Sequence, residues 1–236
     1  MSALTFQHPL PEKHDPMMKR NPSIVLFAAT ILIAGLIGAL TPSVFPENLF
    51  SEGGPIEEFT LVMYVAGIIA VLMVPTRVVT RTDKLATCIL LAAFAAREMD
   101  LHTVMFGTSI LKARFYNRDG TPLQIVGALL ILAPIFASIG WLAVKHGTQW
   151  LRALRERQPA AVTFLVFVIA LVVAKLSDRA PDTLAGWHML VSMTMRHIMQ
   201  GIEESLEMFL PVFVAIAVWQ AARYAMPRMS PPVRHA

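Results

Sequence analysis

Cysteine and charge are both scarce in this sequence. A single cysteine in 236 residues excludes a disulfide scaffold and a cysteine-rich zinc site. Charged residues make up 15% of the chain and apolar residues 56%, and the mean hydropathy is +0.58. A soluble domain has about a quarter charged residues, and a disordered chain has low hydrophobicity with high net charge. The composition therefore predicts an integral membrane protein in a lipid bilayer, and the net charge of +4 does not indicate a nucleic-acid partner.

Six apolar segments approach the length that a bilayer crossing needs. A hydrocarbon core of about 30 Å requires roughly 17 to 25 predominantly apolar residues in a helix. The segments cover residues 24–40, 59–75, 85–98, 123–144, 160–176 and 206–225. The third is short if it stops at Glu98, so its polar end must lie within or just outside the membrane. We expect an all-α polytopic bundle of six helices at 23–226, between tails at 1–22 and 227–236.

The distribution of Lys and Arg predicts the orientation of this bundle. The N-terminal tail, residues 76–84, residues 145–159 and the C-terminal end together hold 13 of the 20 basic residues. Cytoplasmic loops carry an excess of Lys and Arg, so both termini are expected in the cytoplasm, as in a multi-pass protein of the cell (inner) membrane. The alternate loops, on the outer or periplasmic side, hold fewer: Lys112, Arg114, Arg118, Lys175, Arg179 and Arg196.

Acids and histidines gather at the outer ends of the second, third and sixth segments. Ionisable groups are costly in a membrane and normally face the bundle interior or a water cavity. The sequence therefore predicts one polar site at the outer face, on the assumption that three segments at equal depth are neighbours. The candidate residues are Glu57, Glu98, His102, His197, Glu203, Glu204 and Glu207.

The spacing of Glu98 and His102 favours a metal ion. Residues four apart lie on one face of a helix, and carboxylate and imidazole can both bind one ion. With His197 and Glu204 they form the predicted ligand set for a divalent metal such as zinc, manganese or iron. Glu203 or Glu207 is then the predicted catalytic base. Arg97 and Asp100 point the other way and could neutralise each other. The alternative is a hydrogen-bonded cluster that ties the three helices together.

The sixth segment predicts a polar stripe. If its helix runs unbroken from about Asp182, six polar residues fall within an arc of roughly 120°. Such a stripe would face the bundle interior, unless this part is an amphipathic segment at the membrane interface. The stripe consists of Arg196, His197, Gln200, Glu203, Glu204 and Glu207.

Three cations lie in the outer loop between the third and fourth segments. Lys112, Arg114 and Arg118 could hold a phosphate headgroup by charge-assisted hydrogen bonds, with Glu57 as a further substrate contact. They could equally balance the acids nearby.

Three functions remain open on this evidence. The chain contains no His-Glu-x-x-His motif, no Gly-x-Ser-x-Gly elbow and no Walker-type loop. The first expectation is a metal-dependent hydrolase or transferase that acts on a lipid or lipid-linked substrate. The second is a proton- or cation-coupled transporter or channel. The third is a non-catalytic assembly or sensor subunit, homo- or hetero-oligomeric, in which Gly35 and Gly38 allow close helix contact.

Overall fold

The structure is a computed structural model that describes residues 21–41, 44–50 and 53–225. The predicted tails at 1–22 and 227–236 therefore lie almost wholly outside the described residues. The described chain is helical, with a π-helical turn at Phe115–Asp119. Its α-helices are α1 (Pro22–Leu40), α2 (Val44–Phe50), α3 (Pro55–Met73), α4 (Arg81–Glu98), α5 (Leu101–Phe106), α6 (Pro122–Arg155), α7 (Pro159–Gly186) and α8 (Met193–Ala225).

Capping residues and prolines set the starts of the long helices. Proline occupies the first turn of α1, α3, α6 and α7, where its missing N–H has no helical partner to lose. The side chains of Asn21 and Thr80 cap α1 and α4. Thr121 and Gln124 form a reciprocal capping box at the start of α6.

Helix α8 lies at the centre of the bundle. It packs against α7, α1 and α3, while α3 also packs against α4, and α4 against α6. The core between α7, α8 and α1 contains Ala170 and Ala174 opposite the larger Leu206, Leu210 and Phe213. Small residues on one helix let the neighbouring backbone come close, which is how membrane helices pack without a hydrophobic driving force.

Two glycines mark the closest approaches to α8. A Cβ added to Gly38 of α1 would lie 2.9 Å from the Cα of Ile198. A Cβ on Gly67 of α3 would lie 2.8 Å from the Cβ of Pro211. These two positions therefore fix how α1 and α3 dock on the central helix.

The expectation of an all-α membrane bundle is confirmed. Five helical stretches in the described residues are long and apolar enough to cross a membrane: Pro22–Leu40, Val44–Met73, Pro122–Arg155, Pro159–Gly186 and Met193–Arg223. Helix α4, the third predicted segment, is not among them because it carries charges at both ends. Its 18 residues still extend about 27 Å and run between α3 and α6, so the count of six crossings depends on α4.

The predicted start of the last helix near Asp182 is wrong. Helix α7 continues to Gly186, and α8 begins only at Met193, after a turn in which His188 has a φ of 60°. The Thr183 hydroxyl donates to the carbonyl of Arg179 within α7, so it does not cap a new helix. The polar stripe of α8 nevertheless belongs to one continuous helix, Met193–Ala225.

Polar contacts also connect helices at the end of the bundle where α1 and α4 begin. Asp83 of α4 accepts hydrogen bonds from Lys145 at 2.8 Å and from the Trp141 indole at 3.0 Å, both on α6. Near the start of α1, the Thr163 hydroxyl donates to Gln220 at 2.7 Å and lies 3.0 Å from the Asn21 side chain. These contacts connect α4 to α6, and α1 to α7 and α8.

Candidate functional site

A cavity of about 320 Å³ lies where the start of α3, the end of α4 and residues 203–207 of α8 meet. The second, third and sixth predicted segments are therefore neighbours at this point. Arg97 is the one basic residue among the lining residues. The acids that line the cavity are Glu57, Glu98, Asp100, Glu203, Glu204 and Glu207.

Glu207 is the most heavily contacted of these acids. Its Oε1 lies 2.6 Å from the Nζ of Lys175 on α7 and 3.3 Å from Nη2 of Arg97 on α4. Only 4% of the Glu207 side chain is exposed. A buried carboxylate needs this compensation, since desolvation of an unpaired charge is costly.

Arg97 joins a second acid to the same group. Its Nη1 lies 3.3 Å from Oε1 of Glu98, whose side chain is 7% exposed. The resulting group has two positive and two negative formal charges, and we call it the neutral quartet. It consists of Arg97, Lys175, Glu98 and Glu207. It connects α4, α7 and α8 at the base of the cavity.

The remaining acids of the cavity wall are less well compensated. Glu203 lies 3.6 Å from the Nζ of Lys175, which Glu207 already engages. Glu57 accepts a hydrogen bond of 2.6 Å from the backbone N–H of Gly53. Within the described residues no Lys or Arg lies within 4.0 Å of the carboxylates of Glu57, Glu204 or Asp100. The Asp100 side chain is 75% exposed and lies 4.0 Å from Nδ1 of His102, so water can solvate it. We call the other two acids, Glu57 and Glu204, the uncompensated pair.

The continuous helix that carries Glu207 lacks one backbone hydrogen bond one turn further on. Pro211 has no N–H to donate to the carbonyl of Glu207, so one hydrogen bond of α8 is missing at that position. Gly67 of α3 packs directly against Pro211. Glu207, which lines the cavity, therefore lies beside the missing backbone hydrogen bond of α8.

The predicted metal ligands do not form one cluster. Glu98 ends α4, and Asp100, with a φ of 46°, separates it from the short helix that carries His102. The spacing of Glu98 and His102 predicted one continuous helix, and this prediction is wrong because the two residues lie on separate helices. His197 is buried where α1 crosses α8, and neither histidine lines the cavity. In the part of the chain that the structure describes, no three His, Cys, Asp or Glu side chains are placed to hold a metal ion together.

The two predicted catalytic acids and the predicted substrate contact Glu57 all line the cavity. The three basic residues of the predicted outer loop do not line it. Lys112, Arg114 and Arg118 are exposed, and Arg114 pairs with Asp119 at 3.1 Å. Their predicted role in holding a headgroup at the same site has no contact to support it.

Sequence reasoning missed the partners of Glu207. It paired Arg97 with Asp100, but the guanidinium turns to Glu98 and Glu207 because α4 ends beside α8. The charge count places Lys175 in an outer loop, although the residue lies inside the predicted fifth segment, 160–176. A lone lysine inside a membrane segment is costly, and that cost was the available signal.

Comparison with known proteins adds no assignment. The chain matches no family model, no curated protein and no solved structure. What can be concluded about function therefore depends on the geometry of the cavity.

Proposed function

We propose that this protein is a membrane carrier that binds a cationic solute in the acidic cavity. The uncompensated pair, Glu57 and Glu204, is the observation that supports this function. The formal charges of the neutral quartet sum to zero, and neither of its cations lies within 4.0 Å of Glu57 or Glu204 in the described residues. A cation that enters the cavity supplies the missing charge for carboxylates that are costly to leave unpaired in a partly buried wall.

The proposed carrier is open at one end and closed at the other. On the side of the neutral quartet away from the cavity, the bundle is filled by Tyr64, Leu210 and Phe213, which are fully buried. Exposure of the site to the opposite side then requires α8 to move against α3, and the missing hydrogen bond at Pro211 makes that region the natural hinge. Following the distribution of basic residues, we place the open end on the outer side of the inner membrane.

The metal-dependent hydrolase is the less favoured proposal. Its four ligands, Glu98, His102, His197 and Glu204, come from the end of one helix, the start of another and two separated levels of α8. No contact between the carboxylates and the histidines of this set supports a shared zinc, manganese or iron ion. A carrier uses the same acids without requiring the histidines.

An assembly or sensor subunit is the second candidate, and one observation favours it. The segment between α7 and α8 exposes Trp187, Met189 and Leu190. Polar residues at 177–179 and Asp182 separate this segment from the apolar part of α7, and it lies about 15 Å beyond that part along the helix. Trp187→Ser with Leu190→Ser should release the protein from a larger complex if a partner covers this surface. If the wild type and the double variant migrate identically on native gels, this candidate is contradicted.

Transport by purified protein in sealed vesicles tests the carrier. Uptake of a mixture of labelled cations, inorganic and organic, should depend on the protein and be lost in Glu204→Gln and Glu57→Gln. Glu58→Gln is the matched control, because Glu58 is the adjacent acid on α3 but is exposed and does not line the cavity. Equal uptake by all three variants, or none by the wild type for any cation, would contradict the carrier.

A further inference from the structure

The α4–α6 connection, residues 99–121, is folded onto α6. Phe115 is fully buried in a cluster with Ile110 and with Ala128 of α6. A Cβ added to Gly127 of α6 would lie 3.6 Å from the ring of Phe106. These contacts make the α4–α6 connection a packed element with a surface of its own.

The cluster lies inside the apolar run of α6. That run begins at Leu123, and Ala128 follows five residues later, which is about 7.5 Å along the helix axis. Leu132 also packs against the cluster and lies about 13.5 Å from the start of the run. The α4–α6 connection therefore reaches a depth at which the neighbouring helix is fully apolar.

Helix α4 is too short to fill this depth by itself. Its uncharged part, residues 85–96, extends about 18 Å, whereas a hydrocarbon core is about 30 Å thick. At the other end of α4, Asp83 contacts Trp141 and Lys145, where the apolar run of α6 finishes, so the shortfall lies at the Glu98 end. The α4–α6 connection occupies the missing length and exposes 61–77% of three apolar residues there: Val104, Met105 and Leu111.

Two basic residues of the α4–α6 connection have no acid beside them. Lys112 directly follows the exposed Leu111, and Arg118 lies on the π-helical turn, and both are exposed. Within the described residues no carboxylate lies within 4.0 Å of the charged group of Lys112 or Arg118. Arg114, between them, pairs with Asp119 instead. Lys112 and Arg118 therefore do not balance the acids of the cavity, and their charges are available to an anion.

We propose that the α4–α6 connection binds an anionic phospholipid of the surrounding leaflet, with Lys112 and Arg118 at its headgroup. The acyl chains of this lipid lie along the exposed Val104, Met105 and Leu111. Basic side chains at such a depth extend their charged ends to the interface, where they donate charge-assisted hydrogen bonds to phosphate oxygens. A soluble partner suits this surface less well, because the surface packs on the apolar run of α6. Neither basic residue lines the acidic cavity, so this lipid site does not depend on the proposed carrier.

Fluorescence quenching at a single label tests the contact with acyl chains. In a Cys88→Ala background, a fluorophore on Leu111→Cys should be quenched when the purified full-length protein is placed in vesicles of phospholipid brominated on its acyl chains. The same fluorophore on Met189→Cys is the control and should be quenched far less, since that exposed residue lies beyond the apolar part of α7. A label at Leu111→Cys that is not quenched would overturn the proposal and indicate that a soluble partner covers this surface.

The preference for an anionic headgroup is measured with the same label at Leu111→Cys. Brominated phosphatidylglycerol, diluted in unbrominated phosphatidylcholine, should bind beside the label about tenfold more tightly than brominated phosphatidylcholine. Lys112→Gln with Arg118→Gln should bring this ratio close to one, and the fold should be retained because both side chains are exposed. Arg179→Gln with Arg196→Gln removes two exposed basic residues from α7 and α8 and should leave the ratio unchanged. Equal binding of the two lipids, or a ratio unaffected by the substitutions at 112 and 118, would overturn the proposal.

Discussion

Among single residues, Glu207 is the carboxylate through which three helices meet. Its Oε1 contacts both Lys175 and Arg97, from α7 and α4. Removing one member of such a group leaves its partners without compensation in a region of low dielectric constant. The contributions of these residues to stability should therefore depend on one another.

A double-mutant cycle on Glu207 and Lys175 tests this coupling. Glu207→Gln and Lys175→Met should each lower the free energy of unfolding by about 1–3 kcal/mol, since each strands a charged partner. The double variant should lose less than the sum, by a coupling energy of about 0.5–3 kcal/mol. Thermal unfolding in detergent, followed by intrinsic fluorescence, gives the three values. Additive losses would show that the 2.6 Å contact contributes no interaction energy.

The residues of the site were only partly predictable from the sequence. Glu57, Glu203 and Glu207 were expected at one depth, because costly charges in a membrane protein gather around an interior site. Their partners were not predictable in the same way. Arg97 has acids available at 98, 100 and 207, and only the packing of the end of α4 against α8 selects Glu98 and Glu207.

Among the helices, α1 comes especially close to α8 at Gly38. Gly35 and Gly38 look equivalent in the sequence, yet a Cβ at Gly35 would meet nothing within 4 Å while one at Gly38 would strike the backbone of Ile198. Backbone atoms cannot move aside as a flexible side chain can. The two glycines therefore provide a matched pair of substitutions.

Gly38→Ala should destabilise the protein by about 1–3 kcal/mol, because overpacking forces α1 and α8 apart. Gly35→Ala should be neutral or slightly stabilising, since alanine is the better helix former. The melting temperatures of both variants in detergent provide the comparison. A loss of stability in Gly35→Ala equal to that in Gly38→Ala would contradict the docking of α1 described above.

The connection between α4 and α6 depends on Asp83. This buried residue accepts hydrogen bonds from the ammonium group of Lys145 and the indole N–H of Trp141. Asp83→Asn should lower the free energy of unfolding by about 1.5–3 kcal/mol, the range for hydrogen bonds to a charged group. Glu156→Gln, at an exposed acid near the same end, is the control and should change it little. Equal effects of the two substitutions would show that Asp83 does not hold α4.

For the whole molecule, the orientation in the membrane is the prediction with the widest consequences. In a Cys88→Ala background, Met189→Cys between α7 and α8 and Thr148→Cys near the end of α6 place single thiols at exposed positions. A thiol reagent that cannot cross membranes should label Met189→Cys on intact cells and should reach Thr148→Cys only after lysis, as the distribution of Lys and Arg predicts. The reverse pattern would place the cavity on the cytoplasmic side.

The sequence by itself determined the class of the protein, because long apolar runs with few charges leave only membrane helices as a way to satisfy the backbone. It also determined the level at which the acids collect, since the length of each run sets where polar residues begin. It could not separate an acid that has a cation partner from one that has none. Only the packing of α3 and α7 against α8, with α4 packed on α3, decided that Glu98 and Glu207 contact cations while Glu57 and Glu204 do not. Ion pairs form across helices over a few ångströms, and helix order and rotation, which fix those distances, are not encoded in the hydropathy of any one segment.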